Sequence, residues 1–312
     1  MPAMSRYVNP FTDFGFKRLF GEEPSKDLLI CFLNELLRGT QEIKDLTYLK
    51  TEQLGDTRLD RKAIFDLYCE NEKGEKFIVE LQKARQAFFK DRTIFYSTFP
   101  IREQAMPNDW DFRLRPVYTI AIMDFIFEER EQYADIYRHD IQLRHGVTKE
   151  VFYDKLTFIY LEMPKFNKEE EELETDFEKW LYAFKHLSEL DSVPERLKGL
   201  MFERFFARAE IAQFNRNELR SYENSLKVYR DWKNVLDTAH DDGYKEGKEE
   251  GFEKGYGEGI ERGMQEGIEK GIEKGKLAER SEMAKRLLAK GFSIEEVAEL
   301  SGLSAEQVAS LA

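Results

Sequence analysis

Asp66, Glu80 and Gln82 are the residues of this 312-residue chain whose types and spacing suit chemistry. They lie in a stretch, 64 to 82, that reads as two strands joined by a polar turn. Apolar and β-favouring residues fill 64 to 69 and 77 to 81, while Asn71 to Lys76 hold the charges and the Gly74 that a hairpin connection needs. Side chains alternate faces along a strand, so Lys62, Ile64, Asp66 and Tyr68 share one face, and Ile78, Glu80 and Gln82 share one face of the partner. A hairpin pairing those faces sets Asp66, Glu80 and Gln82 on one side of a small sheet. Two carboxylates held together on rigid strands repel each other and lose hydration, and a divalent cation is the usual compensation. The competing reading is a pair of surface carboxylates on an edge strand.

The elements that must position these residues follow from the flanking pattern. Asn9 to Phe20 is aromatic-rich and closes with Gly21 and Pro24. Ser25 can cap a helix running to about Leu37, with Leu28, Leu29, Phe32, Leu33 and Leu36 at helical spacing and Glu35 beside that stripe. Leu46 to Glu52 alternates like a strand. Arg85 to Gln104 suits a helix that Pro100 interrupts or ends. Pro116 to Asp124 and Phe152 to Met163 read as buried strands. Residues 1–163 therefore form an α/β (α+β) domain, and 164–240 a helical region of about three helices packed on or beside it.

The remainder is organised differently. Over 241–276 a glycine recurs every four residues from Gly243 to Gly275, and an apolar residue such as Tyr256, Ile260 or Met264 follows most of them. Each interior glycine costs a helix about 1 kcal/mol relative to alanine. The repeat is either a close-contact helix for self-association or a charged flexible tether. Residues 277–312 read as three short helices, and the boxes at Ser293 to Glu296 and Ser304 to Gln307 give the outline of a helix-turn-helix. Its last helix offers only Gln307 for reading a major groove, which favours a packing or docking unit.

Composition bounds the class. Charged residues make up 35% of the chain and the net charge is -13, which lends no support to wholesale coating of nucleic acid, although a local basic strip can still hold phosphates. Cys31 and Cys69 are isolated, as in a reducing compartment. With no apolar run of about 20 residues and no leader pattern, the expectation is a cytoplasmic protein without a membrane segment. His139, His145, His186 and His240 lack metal-ligand spacing, and no nucleophile and histidine fall into a triad pattern.

Several short motifs in a fixed order carry a resemblance. Asn9, Pro10 and Phe11 with Phe16 to Phe20, Asp66 on its strand, Glu80 to Gln82, Arg92 with Tyr96, and Trp180 with Leu181 resemble the Rpn family of recombination-promoting nucleases and transposases. That family falls within the PD-(D/E)xK nuclease superfamily. The likeness covers most of the chain, including the glycine repeat and the helical tail. It implies a restriction-endonuclease-like mixed sheet flanked by helices, metal-dependent hydrolysis of DNA, and a link to recombination or mobile elements. By position, Asp66 matches the motif aspartate and Glu80 the motif acid. Gln82 stands where many superfamily members have lysine, although Gln is common there in Rpn proteins. The glycine expected near 105 to 110 is replaced by Pro107, Asn108, Asp109 and Trp110.

In-line phosphodiester cleavage needs a deprotonated water and relief of charge on the leaving oxygen, which carboxylate-bound Mg²⁺ (or Mn²⁺) supplies. Asp66 and Glu80 would then bind metal, and Gln82 would orient the attacking water, because an amide positions water without acting as a base. Lys62 would replace the missing cation, and Glu35 would add a metal ligand. Lys83, Arg85, Lys90 and Arg92 form the densest basic run nearby, a phosphate track for DNA. The expectation is a DNA endonuclease that forms homo-oligomers through the glycine repeat. The alternative is an oligomeric, transposon-associated interaction protein whose nuclease site is vestigial or held inactive.

Overall fold

Asn71 closes the central hairpin. Its side-chain oxygen accepts from the backbone N–H groups of Lys73 and Glu75 at 3.0 and 2.9 Å, and Gly74 takes a φ of +78°, a region glycine enters without steric cost. The computed structural model describes residues 5–53, 63–105, 111–127 and 130–312. In chain order the elements are α1 (Asp13–Phe20), α2 (Lys26–Leu36), β1 (Leu46–Tyr48), β2 (Glu52–Gln53), β3 (Ala63–Ile64), β4 (Leu67–Asn71), β5 (Lys76–Gln82) and α3 (Phe89–Arg102). They continue with β6 (Val117–Met123), β7 (Arg138–Arg144), β8 (Val151–Glu162), α4 (Asp176–His186), α5 (Leu200–Ala209), α6 (Arg216–Leu288), α7 (Ile294–Ser301) and α8 (Ala305–Ala309).

Six strands make one mixed sheet in the order β1-β4-β5-β6-β8-β7, and β2 pairs with β3 separately. The β4–β5 hairpin is antiparallel, β5, β6 and β8 run parallel, and β7 returns antiparallel along β8. Every residue of β6 is buried, as expected of a central parallel strand covered on both faces. One face, carrying Phe77, Val79, Leu81, Ile120 and Leu161, packs into the main core with α1, α2, α4 and α5. The other face is covered by α3: Phe99 meets Tyr68 and Ile78, and Phe89 meets Ala121 and Tyr160. This is the restriction-endonuclease-like α/β arrangement, followed by a long helix.

Several elements differ from the sequence expectation. The aromatic stretch after Asn9 is a helix, α1, started by Thr12, whose hydroxyl accepts from the Gly15 N–H at 3.0 Å. Ser25 does not cap α2 with its side chain; its hydroxyl donates instead to the Arg18 carbonyl at 2.7 Å. The strand expected over 46 to 52 divides into β1 and β2, and the edge strand β7 was not anticipated. Within 176 to 240 the helices are α4, α5 and the beginning of α6, and α4 and α5 share the core of the sheet. The glycine repeat lies inside α6, a single helix of 73 residues. Two compact units result, one ending at Lys233 and the other spanning Asn234–Ala312. In the second unit Ala284 of α6 packs with Val297, Leu303 and Val308. Among the described residues no helix is long and apolar enough to cross a membrane.

Candidate active site

The hairpin holds its two carboxylates face to face. Leu67 pairs with Val79, so Asp66, one residue before β4, stands opposite Glu80. Each is fixed by the other's strand: the Leu81 N–H donates to Asp66 Oδ2 at 2.7 Å, and the Asp66 N–H donates to Glu80 Oε1 at 3.2 Å. Gln82, two residues along the same face, donates from Nε2 to Glu80 Oε2 at 3.1 Å. Three of the four carboxylate oxygens thus accept from the hairpin itself, which orients them without neutralising their charge. Asp66 Oδ1 takes no hydrogen bond among the described residues.

Burial sets the electrostatics. Glu80 is only 3% exposed, and its carboxyl is pushed up to about 8, first by loss of solvent and then by the charge of Asp66. The Asp66 N–H, the Arg92 guanidinium and Gln82 offset part of that shift. Asp66 is also raised, mainly by burial, with the Leu81 N–H opposing and Asp13 adding to the effect; Lys17 and Lys83 lower it. An acid pair of this kind, one member buried and the other half-buried, favours holding a proton near neutrality until a cation replaces it.

Of the other residues expected at the site, Lys83 and Arg92 act on the carboxylates, as just described. Lys83 is paired with Asp13 at 2.8 Å. Arg92 lies 4.8 Å from the Tyr96 ring centroid and donates to Gln86. Lys90 stands over the Phe127 ring at 5.2 Å, and Arg85 is exposed. Glu35 is not brought to the carboxylates: it accepts from Arg38 at 2.5 Å, and the apolar face of its helix packs on the side of the sheet opposite Glu80. Lys62 and the stretch 107–110 lie outside the described residues.

Three residues near the pair were not anticipated. Asp13 and Lys17 reach the field of Asp66 from α1. Thr12 and Asp13 ahead of an aromatic run form a helix-start signal that could have placed them. Asp124, just after β6, donates its N–H to the Gln82 carbonyl at 2.8 Å and accepts from the Tyr229 hydroxyl at 2.7 Å. Burial raises its carboxyl and the Tyr229 bond opposes that. Its position depends on a pairing with α6 about a hundred residues away, which local sequence does not encode.

The donor set suits a hard divalent cation. It is all oxygen, it includes the uncommitted Asp66 Oδ1, and it includes an acid whose proton a cation would displace. Among the described residues no set of three His, Cys, Asp or Glu side chains stands together for metal binding. The protein's share would thus be two carboxylates, with water, backbone or a substrate phosphate completing the shell, as magnesium sites commonly allow.

The sequence profile of the PD-(D/E)XK nuclease family transposases matches residues 10–239, a span that contains α1, the whole sheet and the Asp124–Tyr229 pair. No curated protein and no solved structure is significantly similar to the chain.

Proposed function

Because the chain belongs to the PD-(D/E)XK nuclease family transposases, we propose that it is a metal-dependent DNA endonuclease that cleaves phosphodiester bonds at Asp66 and Glu80 in recombination or the movement of mobile elements. The observation that carries this reading is the opposed pair of a half-buried Asp66 and a buried Glu80, braced by the hairpin and by Gln82. Asp66 and Glu80 would hold Mg²⁺ or Mn²⁺. When bound, that ion lowers the pKa of a water and relieves charge on the leaving oxygen.

The chain's own groups divide the remaining work. The Leu81 and Asp66 N–H groups keep one oxygen of each carboxylate fixed, so the pair is preorganised for a cation. Gln82 spends its amide N–H on Glu80, which leaves its carbonyl oxygen to accept from and orient the attacking water. Lys83 and Arg92 carry positive charge beside the pair and would hold the scissile strand's phosphates, with Arg85 and Lys90 extending the track. Lys62 is proposed as a further cation at the site.

The test is nicking of supercoiled and linear DNA with Mg²⁺ or Mn²⁺. Asp66→Ala and Glu80→Ala should each lower the rate by at least about 10²-fold. Activity surviving both substitutions would remove the assignment, and a wild type inert in both metals would favour the alternative of an interaction protein with a silent site. We further propose self-association through α6. Among the described residues no neighbouring side chain or backbone lies within 4 Å of a Cβ built at any glycine from Gly243 to Gly275, while Phe252, Tyr256, Ile260 and Met264 are exposed along the same helix. The free thiols Cys31 and Cys69 accord with a cytoplasmic location.

A further inference from the structure

A second recess opens on the sheet face that carries the carboxylates. Glu80 pairs with Ala121, Ala121 with Tyr160 and Tyr160 with His139, so these four form one row across the sheet. Three inter-strand steps of about 4.8 Å place the far end of the row about 14 Å from Glu80. There lies a cavity of about 390 Å³, whose aromatic wall includes Phe127, Tyr133, Phe158 and Tyr160. Its volume falls in the lower part of the roughly 300–1,000 Å³ range of small-molecule sites, room for one planar ring system and not for a duplex. Ile141 and Ile94, 47% and 54% exposed, complete an apolar mouth that water would otherwise cover.

Charge at the cavity is specific. Lys90 stands 5.2 Å from the Phe127 ring centroid, and Arg130 stands 4.7 Å from that of Tyr133. Both line the cavity, in a chain whose net charge is -13. One polar side chain of the wall, His139, is held in place from behind. His139 bonds through Nε2 to Glu162 at 2.7 Å, and Glu162, fully buried, also accepts from Lys165 at 3.1 Å and from the Phe127 N–H at 3.1 Å. The Glu162 side chain thus holds the imidazole in place through Nε2.

We propose that this cavity takes one unstacked nucleobase of the substrate strand, a nucleotide or a few away from the phosphate held at Asp66 and Glu80. The proposal rests on the nuclease reading above. Helix α3 links the two places: Arg92 acts on Glu80, while Lys90 and Ile94 from the same helix line the cavity. A backbone following Arg92 to Lys90 delivers its next base to the aromatic wall. Stacking on such rings accepts any base, and the His139 ring edge adds a polar contact fixed in place by Glu162. The substrate class that follows is DNA with an unpaired nucleotide beside the cut, as single strands, flaps and gapped junctions provide.

The experiment uses the full chain and 16-nucleotide DNA as single strand, gapped duplex and blunt duplex, with 2-aminopurine placed at successive positions. The expected result has three parts. Emission changes at one position only, single-stranded and gapped DNA are cut faster than blunt duplex, and Ile141→Trp, which fills the exposed mouth, weakens single-strand binding at least tenfold while blunt-duplex binding stays within twofold. Phe158→Ala, checked for folding by thermal denaturation, should weaken it similarly. Unchanged single-strand affinity in both variants, with cleavage still abolished by Asp66→Ala, would overturn the base site and leave the nuclease reading standing. Absence of both binding and cleavage in the wild type would overturn both. Free AMP or CMP binding more tightly than the oligonucleotide and lost in Ile141→Trp would also overturn it, in favour of a mononucleotide effector site.

Discussion

A carboxyl group raised to about 8 from an ordinary 4.5 makes the metal-free protein sensitive to pH in a defined direction. The folded form keeps a proton that the unfolded chain releases, so Glu80 costs stability progressively as pH rises from about 4.5 to about 8. Glu80→Gln, which keeps the shape without the charge, should therefore stabilise the protein in EDTA by on the order of 1–3 kcal/mol at pH 8, with the gap closing near pH 4.5. With saturating Mg²⁺ the order should invert, because only the wild type gains from binding. Thermal denaturation across pH with and without the ion checks both signs. At this scale much was legible in advance: strand alternation put Asp66, Glu80 and Gln82 on one face, and the hydrogen bonds among them follow from that register. The surroundings of Glu35 were not legible, because the partner of the apolar stripe beside it cannot be inferred from its own helix; that stripe packs on the far side of the sheet, and Glu35 pairs with Arg38.

Element boundaries were harder to read where geometry overrules propensity. In α1, a Cβ at Gly15 would lie 2.2 Å from the Asn9 carbonyl oxygen and 2.8 Å from Thr12 Oγ1, the atom that caps the helix. Gly15→Ala must break that close turn and should cost about 3 kcal/mol in urea denaturation, with loss of cleavage as Asp13 and Lys17 move. Gly74→Ala meets only ordinary contacts but must hold a positive φ, and should cost about 1 kcal/mol in the same measurement. Strand β7 escaped notice because its apolar face is short: His139, Ile141 and Leu143 alternate with Arg138, Asp140 and Gln142, and a polar edge strand looks much like a loop. Strand β6 and the second half of β8 were plain because central strands covered on both faces read as continuous apolar runs.

Over the whole chain, the unresolved choice in the sequence was between a contact helix and a tether. The repeat is helical, with pairs such as Glu266 to Lys270 at 3.2 Å spanning successive turns. Each glycine still costs about 1 kcal/mol, and among the described residues none packs within 4 Å of the place a Cβ would take at those positions. Replacing Gly259, Gly263 and Gly267 by alanine should raise helix content by circular dichroism and, where backbones of two copies touch, reduce the mass seen by light scattering. Unchanged mass in that variant and in a chain ended after His240 would leave the repeat as a spacer.

The pairing of the N-terminal segment has its own consequence, which concerns time. Arg6 and Glu210 are joined across 204 positions, Val8 donates to the Ala209 carbonyl, and the Asn9 N–H donates to the Tyr222 hydroxyl. At about 5–20 residues per second, a ribosome needs on the order of 10–40 s to make that interval. The hairpin bearing Asp66 and Glu80 closes from neighbouring residues and is complete early. Helix α1, which carries Asp13 and Lys17, must wait for α5 and α6. A nascent chain therefore owns both acids long before it owns their surroundings, which are complete only once α5 and the first turns of α6 have been made.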